Sequence, residues 1–531
     1  MLGCSLATDW AQTNTLNLPP IADGPFKADW SSLTNYQTPD WFRDAKFGIW
    51  AHWGPQCQPE HGDWYARSMY QEDSGDYKSH LVEYGHPSTN GFKDVIHVWK
   101  AEHFDPDKLL RFYKDNGAKI FMALANHHDN FDNFNSKFQP WNSVNVGPHK
   151  DLIGGWAAAA RKNGLRFAVS VHASRAWSWY EVAQGADKTG PLTGVPYDGK
   201  LTKADGKGLW WDGLDPLVLY AQSHKPGSAL QWEWDGMKGS SIPDTAYMEK
   251  FFKRTQQLWD DYHPDQIYFD DTVLPFHGVT DEVGLNLAAH FYNTRLDKDG
   301  HSTEAVINGK WLTETQREAM VYDIERGKAQ GILPLPWQTD TCIGSWHYDA
   351  NIFKYHYYKS AASVIRMLAD IVSKNGNLML SVPLQRDGQP DADEIKIVSE
   401  IGAWLKVNGE AIYATRPWKV YGEGPSTVVA EKGQFDGQTD VSKKPFTADD
   451  IRFTQSKDGK TLYAIVLEIP NDGNVTIKSL AANSKYWPAK IGSVRLVGGG
   501  KVKFTRDENG LHVALPEKFD GKTAFALKIK S

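Results

Sequence analysis

Between about residues 46 and 383, short unbroken apolar runs alternate with amphipathic helical patterns, and a residue able to do chemistry stands directly after nearly every run. Unbroken apolar runs fit strands covered on both faces, hence a parallel sheet crossed by helices. Six runs are readable, over 47–51, 119–125, 166–171, 266–269, 305–307 and 377–382, with helical patterns predicted over 106–113, 152–162, 248–262 and 355–374. The residues that follow the runs are His52, His127 and His128, His172, Asp270, and Asn308 with Lys310. In a closed barrel the strand ends converge on one face, where active sites are built. The fold expectation is therefore α/β, a (β/α)8-like barrel.

After Pro417 the texture changes to alternating strands separated by tight-turn signals such as Asp458-Gly459, glycines 498–500 and Asn509-Gly510. This predicts a C-terminal antiparallel β-sandwich, and a chain of 531 residues suits a barrel plus a smaller module. The expected division is an N-terminal extension over 1–30, a catalytic domain over 31–415 and a sandwich over 416–531. Within the catalytic domain, 181–245 is Gly-rich and carries Trp210, Trp211, Trp232 and Trp234. It is too long for an ordinary loop and reads as an insertion roofing the cleft.

Composition narrows the ligand. A formal net charge of -7 without a basic stripe argues against nucleic acid. No apolar stretch approaches the roughly 18 residues a membrane span needs. The 22 tryptophans and 22 tyrosines hint at carbohydrate, because indole faces stack on the C–H faces of sugars, although part of them must fill the core. Cys4, Cys57 and Cys342 have no CxxC spacing, which excludes a zinc module or a disulfide framework. The start, Met1 to Cys4, looks like the stub of a bacterial lipoprotein signal or a cloning remnant. The first reading carries the expectation of export, to the periplasm or lipid-anchored at the cell surface.

The histidines at the run ends admit sugar-hydroxyl binding, metal binding together with a carboxylate, or ordinary packing. On a regular strand His127 and His128 point in opposite directions, so both reach one ligand only if the chain bends. The same alternation sends Asp270 and Asp271 different ways, and an Asp at this position also serves as a helix cap. Glycoside chemistry needs a second acid: in a retaining mechanism one carboxylate attacks the anomeric carbon while another, roughly 5 Å away, handles the leaving-group proton. Glu325 in YDIERG (322–327), on a loop after the strand ending near Asn308, and Asp340 in WQTDT (337–341) are the candidates. A surface salt bridge with Arg326 is the other reading of Glu325.

At these residues the chain resembles glycoside hydrolase family 29, the α-L-fucosidases. FGIWAHWG (47–54) and GDWYAR (62–67) are similar to the family's FGIFxHWG and GEWYAR segments, and HHD (127–129) to its HHDGF motif. YHPDQIYFD (262–270) resembles the YxPDxxWxDG stretch whose Asp is the nucleophile, and WQTDTCIGSWHY (337–348) resembles WExCxxIxxSWGY. NGNLMLSVP (375–383) and NGEAIY (408–413), with Arg416-Pro417-Trp418, continue the match in order.

The resemblance implies that His52, Trp64, His127, His128 and His172 line a pocket for a terminal L-fucose, with Asp63, Lys310 and Trp337 completing the binding set and Asp270 as nucleophile. His172 stands where the family usually has Tyr, Asp63 where it has Glu, Lys310 where it has Arg, and Asp271 where it has Gly. Gln338 replaces a Glu, and an amide cannot donate and retrieve a proton. Glu325, 55 residues after Asp270, falls where related enzymes carry the acid/base and is preferred to Asp340. The implied activity is a retaining exo-α-L-fucosidase acting on a fucosylated oligosaccharide or polysaccharide without cofactor or metal. Gln338 and Lys310 motivate an alternative, a fucose-binding protein that has lost catalysis; others are a glycosidase of this fold acting on a related sugar such as α-L-galactose, and a hydrolase that uses the histidines to hold a metal. No motif encodes linkage specificity or oligomeric state.

Overall fold

The computed structural model describes residues 15–222, 242–427 and 445–531. Eight parallel strands close into a barrel in chain order: β1 Phe47–Ala51, β2 Ile120–Asn126, β3 Arg166–Val171, β4 Gln266–Phe269, β5 Val306–Gly309, β6 Val321–Asp323, β7 Trp337–Cys342 and β8 Gly376–Ser381, with β8 pairing back onto β1. Nearly every strand residue is buried, because side chains fill the interior and helices cover the outside.

The helices start where the sequence supplies caps. Asp105 accepts from Lys108 N with Pro106 in the first turn of Pro106–Asp115, Asp151 caps Leu152–Asn163, Asp244 caps Thr245–Tyr262 and Asp391 forms a capping box with Glu394 on Ala392–Asn408. Close packing demands glycine at Gly376, where a Cβ would lie 2.6 Å from the Trp337 indole.

Three details differ from the sequence expectation. β6 and β7 were not among the six readable runs, because β6 is three residues long and β7 places polar Gln338 and Asp340 inside the barrel. Glu325 consequently follows β6 rather than β5. The helix expected over 355–374 is two helices, Ala350–Tyr355 and Ala361–Ser373. His356 breaks them apart in the left-handed region (φ +55°), and Ser360 caps the second through Ser363 N.

The C-terminal strands form a five-stranded sheet, ordered β13-β16-β11-β10-β9, and a three-stranded sheet, β12-β15-β14. Their ranges are β9 Thr415–Glu423, β10 Ile451–Ser456, β11 Leu462–Val466, β12 Asn474–Ile477, β13 Ser493–Leu496, β14 Lys503–Asp507, β15 Gly510–Ala514 and β16 Phe525–Lys530. Alternation along β11 explains its unbroken apolar sequence. Leu462, Ala464 and Val466 enter the sandwich core, while Tyr463 and Ile465 join the barrel's core.

The first part of the 181–245 insertion, up to residue 222, packs on the segment 65–98 that follows β1. Asp198 accepts from Tyr70 Oη (2.7 Å) and Tyr220 Oη (2.5 Å), and Asp187 accepts from Tyr77 and Tyr197 hydroxyls. Trp211 is buried, and Trp210 stacks on His97 at 4.1 Å with its indole N–H on Asp94. Trp232, Trp234 and Cys4 lie outside the described residues.

Candidate active site

Strand parity assembles the site. Alternate residues of each strand point inward, so the columns Trp50-His52, Ser170-His172, Tyr268-Asp270, Asn308-Lys310 and Asp323-Glu325 all climb toward the same mouth. Asp270 stands at its centre, 7% exposed. His172 Nδ1 lies 3.0 Å from Asp270 Oδ2, His128 Nε2 lies 3.2 Å from the same oxygen, and Lys310 Nζ donates to Oδ1 at 2.7 Å. Lys310 Nζ also donates to Glu325 Oε2. Asp271 points away and pairs with Arg175 (2.9 Å) and the Ser174 hydroxyl (2.6 Å), so it secures the loop after β3.

Around this centre lie rings packed edge-on or tilted against one another. His52 sits 5.1 Å from His172, 4.8 Å from Trp50 and 4.8 Å from His347 between ring centroids. The rings of His127 and His128 are 4.5 Å apart. β2 has ended at Asn126 after a register shift, and the chain bends there, so the two rings are not sent to opposite faces. Trp179 faces both at 6.3 and 5.5 Å, and Trp64, held in the left-handed region at φ +66°, meets His128 edge-on.

Electrostatics separates the two acids. Burial alone would raise Asp270, but the Lys310 ammonium and the His172 and His128 rings outweigh it and hold the carboxyl well below its ordinary range. Burial pushes Glu325 up to about 7 against the pull of Lys310, with the negative neighbours Asp340 and Asp270 adding to the rise. One carboxylate is thus ionised while its partner keeps a proton near neutral pH, the division of roles that acid catalysis with a nucleophile requires. Burial also lowers the imidazoles, His172 to about 4 and His52 and His127 well below their ordinary range, so these rings are neutral.

Hydrogen-bonding capacity is left unspent around this centre. His52 Nδ1, His172 Nε2, His347 Nε2, Trp50 Nε1 and Trp179 Nε1 are all buried without a partner among the described residues. Buried polar atoms are rarely left so, and five around one carboxylate mark a pocket shaped for a ligand rich in hydroxyls. Ligand atoms of His52, His127 and His172, and of His128, His172 and Asp270, also lie within 4.8 Å of one another, close enough to hold a metal ion. Since His172 gives its Nδ1 to Asp270, its Nε2 is the nitrogen that faces the ligand.

Two expectations about binding residues change. Trp337 opens β7 at the far end of the barrel, fully buried with its indole on Lys374 O, and does not reach the pocket. The later part of the same motif does: Trp346 lies 5.5 Å from His52, and His347 lies 4.7 Å from His127. Asp63 orients that segment, accepting from Ser345 Oγ, Trp346 N and His347 N. Gln338 sits a layer below the mouth, bonded to Gln266 and Asp323, so its amide belongs to the barrel interior. The signal for Trp346 and His347 is their place in WQTDTCIGSWHY, and for Tyr268 its place two residues before Asp270 in YHPDQIYFD; Trp179 carries none beyond being aromatic.

A carboxylate pair at the mouth of a closed parallel barrel, set among neutral imidazoles and indoles, is the arrangement of a barrel glycoside hydrolase. The family profile described as alpha-L-fucosidase matches residues 15–410, and that of the alpha-L-fucosidase C-terminal domain matches 443–530. Mouse tissue alpha-L-fucosidase is 27% identical over 506 residues, covering 94% of this chain and 92% of its own. The crystal structure of Thermotoga maritima alpha-fucosidase in complex with fucose superposes with a TM-score of 0.67 at 23% identity, covering 95% of this chain and 99% of its own. A trapped covalent intermediate of a GH29 alpha-L-fucosidase from Bacteroides thetaiotaomicron gives 0.60 at 15% identity, covering 97% and 99%. The chain belongs to the α-L-fucosidase family, glycoside hydrolase family 29.

Proposed function

We propose that this protein is a retaining exo-α-L-fucosidase, removing terminal α-L-fucose from glycans or oligosaccharides through a covalent fucosyl-enzyme on Asp270. The observation that carries this reading is the Lys310 ammonium donating at once to Asp270 and Glu325. A shared donor keeps their nearest oxygens within two hydrogen-bond lengths, about 6 Å or less. Retaining enzymes need carboxyls about 5–5.5 Å apart, whereas inverting enzymes need about 6.5–9.5 Å to admit a water.

In the first step Asp270 attacks the anomeric carbon while Glu325 gives its proton to the leaving oxygen. In the second, Glu325 takes a proton from water, which displaces the sugar from Asp270. The neutral imidazoles and indole N–H groups orient the fucose hydroxyls, and Lys310 offsets charge on whichever carboxylate is ionised. The family membership and the fucose complex of the Thermotoga maritima relative support fucose as the sugar. The trapped covalent intermediate of the Bacteroides thetaiotaomicron relative supports the two-step route.

The test is chemical rescue. Asp270→Ala should abolish hydrolysis of an aryl α-L-fucoside, and added azide should restore turnover with β-fucosyl azide as product. Full activity of that variant without azide would overturn the assignment.

A further inference from the structure

Below Lys310 the barrel interior holds two carboxyls with no part in the mechanism above. Asp323 on β6 and Asp340 on β7 both point inward, 0% and 1% exposed. Donors are scarce there. Gln266 Nε2 donates to Asn308 Oδ1 (2.6 Å) and Gln338 Oε1 (2.8 Å), and Gln338 Nε2 donates to Asp323 Oδ1 (2.9 Å). Among the described residues, Asp323 Oδ2 and both Asp340 oxygens have no donor at ordinary hydrogen-bond distance. What reaches them is each other's carboxyl and, for Asp340, the Tyr268 hydroxyl.

Two ionised carboxylates cannot face one another in such surroundings, because each loses its hydration and repels the other. A proton held between them removes both costs, since a protonated carboxyl is a donor. The charge inventory demands the same. The groups acting most strongly on Asp340 are Asp323 from β6, Lys310 after β5 and Tyr268 from β4, while Asp323 also feels Glu325. Lys310 is the one cation among them, and it already serves Asp270 and Glu325.

We propose that Asp340 keeps its proton throughout turnover and donates it to Asp323, so that Lys310 is left wholly to the two carboxylates at the mouth. Asp340 is then a positioning residue: ionised, it would draw Lys310 downward and away from Asp270 and Glu325. Burial and the adjacent Asp323 push the Asp340 carboxyl well above its ordinary range, while Asp323 rises only to about 6, which assigns the proton to Asp340. The inference rests on the retaining reading above and adds to it the state of the layer beneath.

Three variants and a spectrum test it. Asp340→Asn keeps a donor of the same shape, so kcat and KM should stay within roughly threefold of the parent, the rate equivalent of part of one hydrogen bond. Asp323→Asn removes the repulsion that keeps Asp340 protonated, and should lower kcat by about tenfold or more as Asp340 ionises against Lys310. The double variant Asp323→Asn/Asp340→Asn should recover most of that loss, a rescue that damage to folding would not give. In the infrared spectrum, the parent at a pH well above 7, where Glu325 has ionised, should retain a protonated-carboxyl band that Asp340→Asn lacks.

Absence of that band in the parent would overturn the proposal whatever the variants do. So would a loss of kcat in Asp340→Asn of about tenfold or more. If that loss came with a fully active Glu325→Gln, the acid assignment itself would fall; with an impaired Glu325→Gln, only the pair would.

Discussion

Lys310 touches both carboxylates, so its replacement is expected to disturb both steps. Lys310→Met should lower kcat by about 10²–10³, the effect of removing one preorganised charge from a buried site. The pH profile separates the two acids it serves. Asp270 is held well below its ordinary range, so the acid limb of kcat/KM should lie low; Glu325, at about 7, must be protonated to act first, so the rate should fall as pH rises through about 7. Glu325→Gln should remove that alkaline limb and slow natural fucosides far more than aryl fucosides with good leaving groups, as initial rates across the pH range will show. Equal losses on both substrates would point to another acid. Treatment with a chelator should leave the parent rate unchanged, although the imidazoles could hold a metal; loss of activity would favour a metal-dependent reading.

At the scale of elements, the loop after β7 sets Trp346 and His347 beside the pocket histidines, whereas Trp337 at the start of β7 is bonded to Lys374 O away from them. Trp346→Ala should raise KM about tenfold through lost stacking, with little change in melting temperature. Trp337→Phe should do the reverse, leaving KM alone and costing about 1 kcal/mol through the lost bond to Lys374 O. What the sequence disclosed follows the same division. Strands whose inward side chains are apolar or small announced themselves as runs, as 47–51 and 166–171 did. β7 hid because its inward Gln338 and Asp340 are polar, and β6 because three residues make no pattern. Asp270 is legible as the residue closing a run, and Glu325 as one of two candidate acids, preferred to Asp340 only through resemblance. The bend that brings His127 and His128 together was not legible at all, since it arises where β2 leaves its register with β3.

For the whole molecule, the sandwich is fastened to the barrel through buried charge. Asp370 on helix Ala361–Ser373 pairs with Arg452 from β10 at 2.5 Å and with Lys374 at 2.7 Å. Burial would raise Asp370, but the two cations win and hold it well below its ordinary range. The stability this contributes is present above the unfolded carboxyl's value of about 3.9 and is lost as pH falls through the folded value. Arg452→Met leaves the carboxylate buried with one cation fewer and should cost about 3–5 kcal/mol in denaturant titration. Whether β9–β16 then unfold apart from the barrel will show as a second transition. The same fastening explains why β11 is apolar on both faces, one row serving each core.

The most direct test of the central claim is the anomeric form of the first product. Proton NMR during hydrolysis of an aryl α-L-fucoside should show α-L-fucose appearing first and mutarotating afterwards, as two displacements at Asp270 require. β-L-Fucose appearing first would mean a single displacement by water, and would contradict the assignment of Asp270 and Glu325 as a retaining pair.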